Sequence, residues 1–329
     1  MGNAMWKFAG IVAIAVALSM PGGPAAAQTY PLKSVTIVVP FVPGGPVDTI
    51  ARIMGERMRT FLGQPIVIEN VGGAAGSIGV GRAARAAADG YTLSLGNWAT
   101  HVVNGAIYPL SYDVLNDFDP VSLILTQPEI VVAKKAMPAD DLKGLVAWLK
   151  ANPDKAVQGT SGVGSAGHVA GVFFQKMTGT QYQFVPYRGL APAMQALLAG
   201  QVDMLIDVPA SSAPQIRAGT IKAYAVTAKS RLAALPDIPT VDEAGLPGFY
   251  ASVWYALWVP KGTPKDIVAR LNAAVVDALA DGTVRKRLTD LGMEIFPREQ
   301  QNGAALGALH KSEIERWWPI IKAANIRGE

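Results

Sequence analysis

From Val35 onward the chain alternates short β-rich runs with stretches of helical period, which points to parallel sheets carrying helices on their faces. Val35–Pro40 is strand-like, and Val47, Ile50, Ala51, Met54, Met58, Phe61 and Leu62 then recur at helical spacing, with Arg52, Glu56 and Arg59 on the opposite face. Pro65–Glu69 and Tyr91–Leu95 read as strands flanking a helix over Ile78–Ala87. A second series follows: helix Leu142–Ala151, strand Ala156–Gly159, helix Val169–Met177, strand Gln183–Val185, helix Ala191–Ala199, and strands Val202–Ile206 and Ala223–Thr227. The β-rich runs Val121–Ala133 and Ala251–Val259 separate the series and read as two crossings between lobes. Helices over Pro264–Ala280 and Val284–Leu291 are expected to return to the first lobe. The expected division is residues 28–130 plus 255–329 for lobe 1 and 131–254 for lobe 2, with no fixed-period repeat.

Half of the residues are hydrophobic, but some of that excess lies outside any fold. Lys7, the apolar run Phe8–Met20 and Ala25-Ala26-Ala27 read as a secretory signal peptide over residues 1–27, cleaved after Ala27. The apolar run, about 13 residues, is short of the roughly 20 that cross a bilayer. A retained anchor is the alternative, weakened by the break at Pro21-Gly22-Gly23-Pro24. Export implies a periplasmic protein. The chain has no cysteine, which excludes disulfides, a lipid-acylated Cys, thiol nucleophiles and Cys metal sites. The net charge of +4 carries no Lys/Arg block, so it argues against nucleic acid and mildly favours an anionic solute.

Two Gly-rich loops each join a strand to a helix start, where unpaired N–H groups and about half a positive charge attract anions. The first is Pro43-Gly44-Gly45-Pro46-Val47-Asp48, and the second is Thr160-Ser161-Gly162-Val163-Gly164-Ser165. Gly44 and Gly45 let backbone approach a ligand, with Val42 and Pro43 beside them, and Pro46 suits the first helical position. Asp48 either accepts from the ligand or simply complements the dipole. Gly73, Ala74, Ala75 and Gly76 are candidate wall residues, with Asn70 placed to cap their turn. Ser161, Gly164 and Ser165 form a second grip, their hydroxyls serving as donors or as helix caps. His168 is either near the ligand or packed; among three histidines no triad or metal spacing exists. Tyr187 follows a strand end, Asp207 ends a strand where it either meets the ligand in the cleft or caps a helix, and Arg188 either pairs with a second carboxylate or stays solvated or braces a hinge. Asn97 and Trp98 are candidates for the flat part of the pocket, which would admit an aromatic acid, whereas Trp254, Tyr255 and Trp258 read as packing at the crossing.

These segments, taken in order, closely resemble the extracytoplasmic solute-binding proteins of tripartite tricarboxylate transporters, the Bug family. The resemblance rests on Pro40-Phe41, Pro43-Gly44-Gly45 with Asp48, Ala51-Arg52, and Ala88-Asp89-Gly90-Tyr91-Thr92-Leu93, where Ala88 replaces the family's Pro. It continues through Gly162–His168, Val185-Pro186-Tyr187-Arg188-Gly189, Gly200-Gln201-Val202-Asp203, Ala225-Val226-Thr227, Pro239-Thr240 and Glu243-Ala244-Gly245, and so covers essentially the whole mature chain. The family often carries Pro-Gly near Gly72-Gly73, a local departure here. The resemblance implies an α/β, two-lobed periplasmic binding protein fold (type II), each lobe a mostly parallel sheet flanked by helices with the ligand cleft between. It also implies a solute carboxylate gripped by loop amides, hydroxyls and waters instead of Arg, and delivery of the solute to membrane permease subunits.

Enzyme readings fail on particular residues. Gly162-Val163-Gly164-Ser165-Ala166-Gly167 matches a dinucleotide fingerprint, but the next strand ends in Pro186-Tyr187-Arg188 without the acid that would take the ribose. Val163 breaks a nucleophile elbow around Ser165, and no Gly-Lys-Ser/Thr follows either loop. The expectation is a monomeric binding protein, not an enzyme, with no cofactor or metal, that takes a di- or tricarboxylate or an aromatic carboxylate. Service to a sensor kinase instead of a transporter remains the alternative.

Overall fold

The structure is a computed structural model describing residues 30–328, so the expected signal segment 1–27 lies outside the described residues. The first half opens with β1 (Val35–Val39), α1 (Pro46–Leu62), β2 (Ile66–Asn70), α2 (Ser77–Ala84), β3 (Thr92–Asn97) and a short α3 (Asn104–Ile107). β4 (Phe118–Pro128) then runs into β5 (Ile130–Lys134) with only Glu129 between them. The second half holds α4 (Leu142–Ala151), β6 (Val157–Thr160), α5 (Ala166–Thr178), β7 (Gln183–Pro186), α6 (Leu190–Leu198), β8 (Met204–Asp207), α7 (Pro209–Arg217) and β9 (Ile221–Val226). β10 (Ser252–Pro260) returns to the first half, followed by α8 (Lys265–Ala280), α9 (Gly282–Asp290), β11 (Glu294–Ile295) and α10 (Gly303–Ala323).

The six-stranded sheet has the order β11-β4-β10-β3-β1-β2, and the five-stranded sheet β7-β6-β8-β5-β9. β2, β1 and β3 are parallel, as are β7, β6 and β8. The crossing strands pair antiparallel, β10 with β3 and β4, and β5 with β8 and β9, so both sheets are mixed. That follows from connectivity, since a strand arriving from the other half has no crossover helix to reverse it. α1 shows why the local pattern folds as it does. Pro46 opens it, left-handed Gly63 closes it, and Ile50, Met54 and Met58 pack on the sheet while Arg52 and Glu56 face water. Each of these buried side chains contributes about 1.5–3 kcal/mol.

The two crossings are tied together by one hydroxyl. Thr227 Oγ1 accepts from the Glu129 amide at 2.9 Å and donates to the Ala251 carbonyl at 2.5 Å, joining both crossings at one point. The halves also touch across the cleft. Gly164 packs on Val103 and Ile107, the Phe173 and Trp317 rings meet edge-on at 5.4 Å, and Arg316 donates to the Tyr250 carbonyl.

Candidate functional site

The candidate residues all lie at the C-terminal ends of parallel strands, where ligands bind in open α/β sheets. Val42 to Asp48 follow β1, Gly73 to Gly76 follow β2, and Asn97 and Trp98 close β3. Ser161 to His168 follow β6, Tyr187 follows β7, and Asp207 ends β8.

In the first half these loops brace one another. Asn70 Nδ2 donates to the Phe41 carbonyl at 3.1 Å, Gly76 abuts Pro40 and Thr100, and Asn104 Nδ2 donates to the Ala75 carbonyl at 2.9 Å. Val42, Pro43, Gly44, Gly73, Ala74 and Ala75 are exposed at the rim. Ala74 and Ala75 both have left-handed backbone, φ 46° and 51°, a conformation that costs of the order of 1 kcal/mol or more per non-Gly residue. Asp48 is committed locally: Oδ2 accepts from the Gly44 amide at 2.9 Å and from Arg52 Nε at 3.0 Å. The Arg52 hydrogen bond holds its carboxyl below the usual range despite burial. Asn97 accepts from the Thr100 amide at 3.1 Å and so caps the next turn. Trp98 is 3 % exposed and stands edge-on against Trp317 at 5.3 Å, so it is a floor residue more than a flat wall, with its indole N–H unpaired.

In the second half, Ser165 is the N-cap of α5, yet its buried hydroxyl bonds to no protein group. The first intrahelical bond runs from Val169 to Ser165, leaving the amides of Ala166, Gly167 and His168 ahead of it. His168 Nδ1 accepts from the Gly164 amide at 3.0 Å, which places the ring proton on Nε2, and its ring meets Phe184 edge-on. Burial lowers its pKa. Tyr187 packs into the second-half core and its amide donates to Thr160, while Arg188 is exposed.

Asp207 is 1 % exposed, and neither carboxyl oxygen has a hydrogen-bond partner. Burial raises its pKa to about 7 against the opposing pull of the Ser211 hydroxyl and the Val208 amide. The sequence reading missed Glu129, which is 2 % exposed and raised well above the carboxyl range by burial and by repulsion from Asp207. Its signal was present, as the sole charge in the apolar run Val121–Ala133. Glu129, Trp98, Ala166 and Trp317 line a cavity of about 10 Å³, near the minimum for one water. A concavity of about 380 Å³ lies between α4 and the turn at Ala244–Leu246 and shares no residue with the strand-end loops. Among the described residues no cluster of His, Asp or Glu could hold a metal.

Comparison with known proteins supplies relatives for this arrangement. A family model described as the tripartite tricarboxylate transporter family receptor matches residues 50–326. The solved structure of periplasmic binding protein BugD has a TM-score of 0.78 at 38 % identity, covering 91 % of this chain and 100 % of its own. MatC from Rhodopseudomonas palustris with bound malate gives 0.78 at 41 % identity, with coverages of 89 % and 100 %. An R. palustris protein with adipate gives 0.80 at 34 % identity, with coverages of 91 % and 99 %.

Proposed function

Because this chain belongs to the tripartite tricarboxylate transporter receptor family, we propose that it captures a small carboxylate between two lobes and delivers it to the permease subunits of such a transporter. The lobes are residues 28–130 plus 255–329 and residues 131–254, hinged at Glu129 and Ala251. The protein acts in the periplasm as a monomer, exported through segment 1–27, and performs no chemistry on its solute. Malate on MatC and adipate on the second relative support a carboxylate, with dicarboxylates the first class to test.

One observation carries the reading. The Ser165 hydroxyl is buried without a partner at the start of α5, beside three amides that precede the first helical bond. Helix-start amides and a free hydroxyl together complete the hydrogen bonds of a carboxylate without a cationic side chain. The lobe-1 loops after β1 and β2 form the opposing jaw.

The test is thermal unfolding of the chain from Gln28 with aliphatic, aromatic and amino carboxylates. A ligand at about 100 times its dissociation constant adds roughly 2.7 kcal/mol and a clear rise in melting temperature. No rise across the panel would sink the proposal. Ser165→Ala should weaken binding roughly ten- to hundredfold, as expected for a hydrogen bond to a charged group worth about 1.5–3 kcal/mol. Unchanged affinity would remove the α5 grip.

A further inference from the structure

The concavity between α4 and the turn at Ala244–Leu246 takes no part in the cleft, and it is shaped as a groove with two walls. One wall is α4, where Lys143, Val146, Ala147 and Lys150 share a single stripe along the helix. The end of α5 and the turn make the other, contributing Met177 and Leu246. Val146, Met177 and Leu246 pack onto the second-half core from outside while staying partly exposed, so the space between the walls has an apolar floor.

The turn is braced to keep this shape. The Thr240 amide donates to Glu243 Oε2 at 2.8 Å, and the Glu243 amide returns a bond to Thr240 Oγ1 at 3.2 Å. Arg231 pairs with Glu243, and the Tyr250 hydroxyl donates to Asp242. Gly245 has left-handed backbone, φ 86°, and a Cβ there would strike Lys143 Cε. The absent side chain is what lets Lys143 lie against the turn.

Charge then narrows what fits. Two lysines and no acid line the groove. Acids on the flanking segments are already engaged: Asp140 takes Lys222, Asp141 caps α4 by accepting from the Gly144 amide, and Glu243 takes Arg231. Lys143 and Lys150 are exposed and form no ion pair among the described residues. Their seven-residue spacing sets them about 10.5 Å apart along the helix axis, near two turns. Residues 1–29 contain no Asp or Glu, so the leading segment of this chain does not complement them. The complement is a helix with acids at i and i+7 and apolar residues at i+3 and i+4, the pattern by which amphipathic helices enter grooves.

We propose that this groove docks an acidic amphipathic helix of a partner protein. The helix lies along α4, its apolar residues on Val146, Met177 and Leu246 and its carboxylates at Lys143 and Lys150. Because the groove shares no residue with the strand-end loops, partner and solute are held independently, whatever solute the cleft takes.

Fluorescence anisotropy of labelled peptides with the chain from Gln28 tests the proposal. The first peptide is an Ala-rich helix with Glu at i and i+7 and Leu at i+3 and i+4; one control carries Lys in place of Glu, and another Ala in place of Leu. The acidic peptide should bind about tenfold or more tightly than the Lys control, since two rim ion pairs are exchanged for two repulsions. Replacing Leu by Ala should also weaken it. Lys143→Glu combined with Lys150→Glu, both at exposed positions, should reverse the preference between the acidic and basic peptides. Absence of binding, equal binding of the acidic and basic peptides, or an unchanged preference in the double variant overturns the proposal. Sedimentation of the protein alone adds a further check: a dimer abolished by the double variant would give the groove to a second copy of this chain and overturn it too.

Discussion

Replacing Asp207 by Asn should stabilise the fold in mildly alkaline solution relative to acid solution. Asp207 titrates near 3.8 in the unfolded chain, and burial raises this to about 7 in the fold. The folded protein therefore holds that proton more tightly. Its contribution is fully favourable below about pH 4 and erodes as pH rises toward 7. Above that it reaches its full cost, about 4 kcal/mol for a shift of roughly three units at about 1.4 kcal/mol each. Asn keeps the shape and cannot ionise, so the stability difference between variant and wild type should move in the variant's favour by about 4 kcal/mol between pH 4 and pH 8. Any fixed cost of burying the amide cancels in that difference. Removing Asp207 also relieves Glu129 of its like-charged neighbour, which acts in the same direction. Urea unfolding at a series of pH values, followed by tryptophan fluorescence, reads the quantity directly. A variant-to-wild-type difference that stays constant from pH 4 to pH 8 would refute the burial argument.

Burial also holds His101 and His310 neutral in the fold, against an ordinary value of 6.5. The histidine contribution to stability should therefore be lost as pH drops through about 6.5, and melts of His310→Gln, which loses one of these protonations, should show a shallower acid limb than wild type; identical limbs would exclude the effect. Gly164→Ala should destabilise, because a left-handed φ of 74° costs a residue with Cβ roughly 1–2 kcal/mol and the new methyl collides with Ile107. Urea unfolding of Gly164→Ala with and without Ile107→Ala should recover part of that loss, and no recovery would deny the contact across the cleft. Trp317→Ala should cost about 3–5 kcal/mol, since the ring is buried against both Trp98 and Phe173. A loss under about 1 kcal/mol in denaturant unfolding would contradict that packing.

The parts of the fold legible in the sequence are those fixed by local rules. Pro46 and Gly63 bound α1, the predicted bounds of α4 coincide with the observed ones, and strand ends are marked by Gly-rich turns. α10 escaped because its buried stripe of Leu306, His310, Ile314, Trp317 and Ile321 includes an ionisable residue. That residue makes sense only once His310 Nε2 meets the His101 carbonyl from the other end of the chain. The site divides in the same way. The loops at Gly44 and Gly164 were visible from composition, and their internal ties, Asp48 to Gly44 and His168 to Gly164, span four residues and follow local capping patterns. The Glu129–Asp207 pair was not legible, because only the pairing of β5 with β8 sets Ile130 opposite Asp207.

The Thr227 knot bears on the order in which this chain assembles. Pairing β10 with β3 sets Tyr255 opposite Asn97, and so closes a loop from residue 97 to residue 255 that is slow to form from an extended chain. The five-stranded sheet is built from one continuous stretch, and once formed it brings the Glu129 amide within 3.2 Å of the Ala251 carbonyl. The long loop is then reduced to two ends already side by side. The inserted half is thus expected to serve as an internal template, holding the split half's two pieces in register while their sheet zips together.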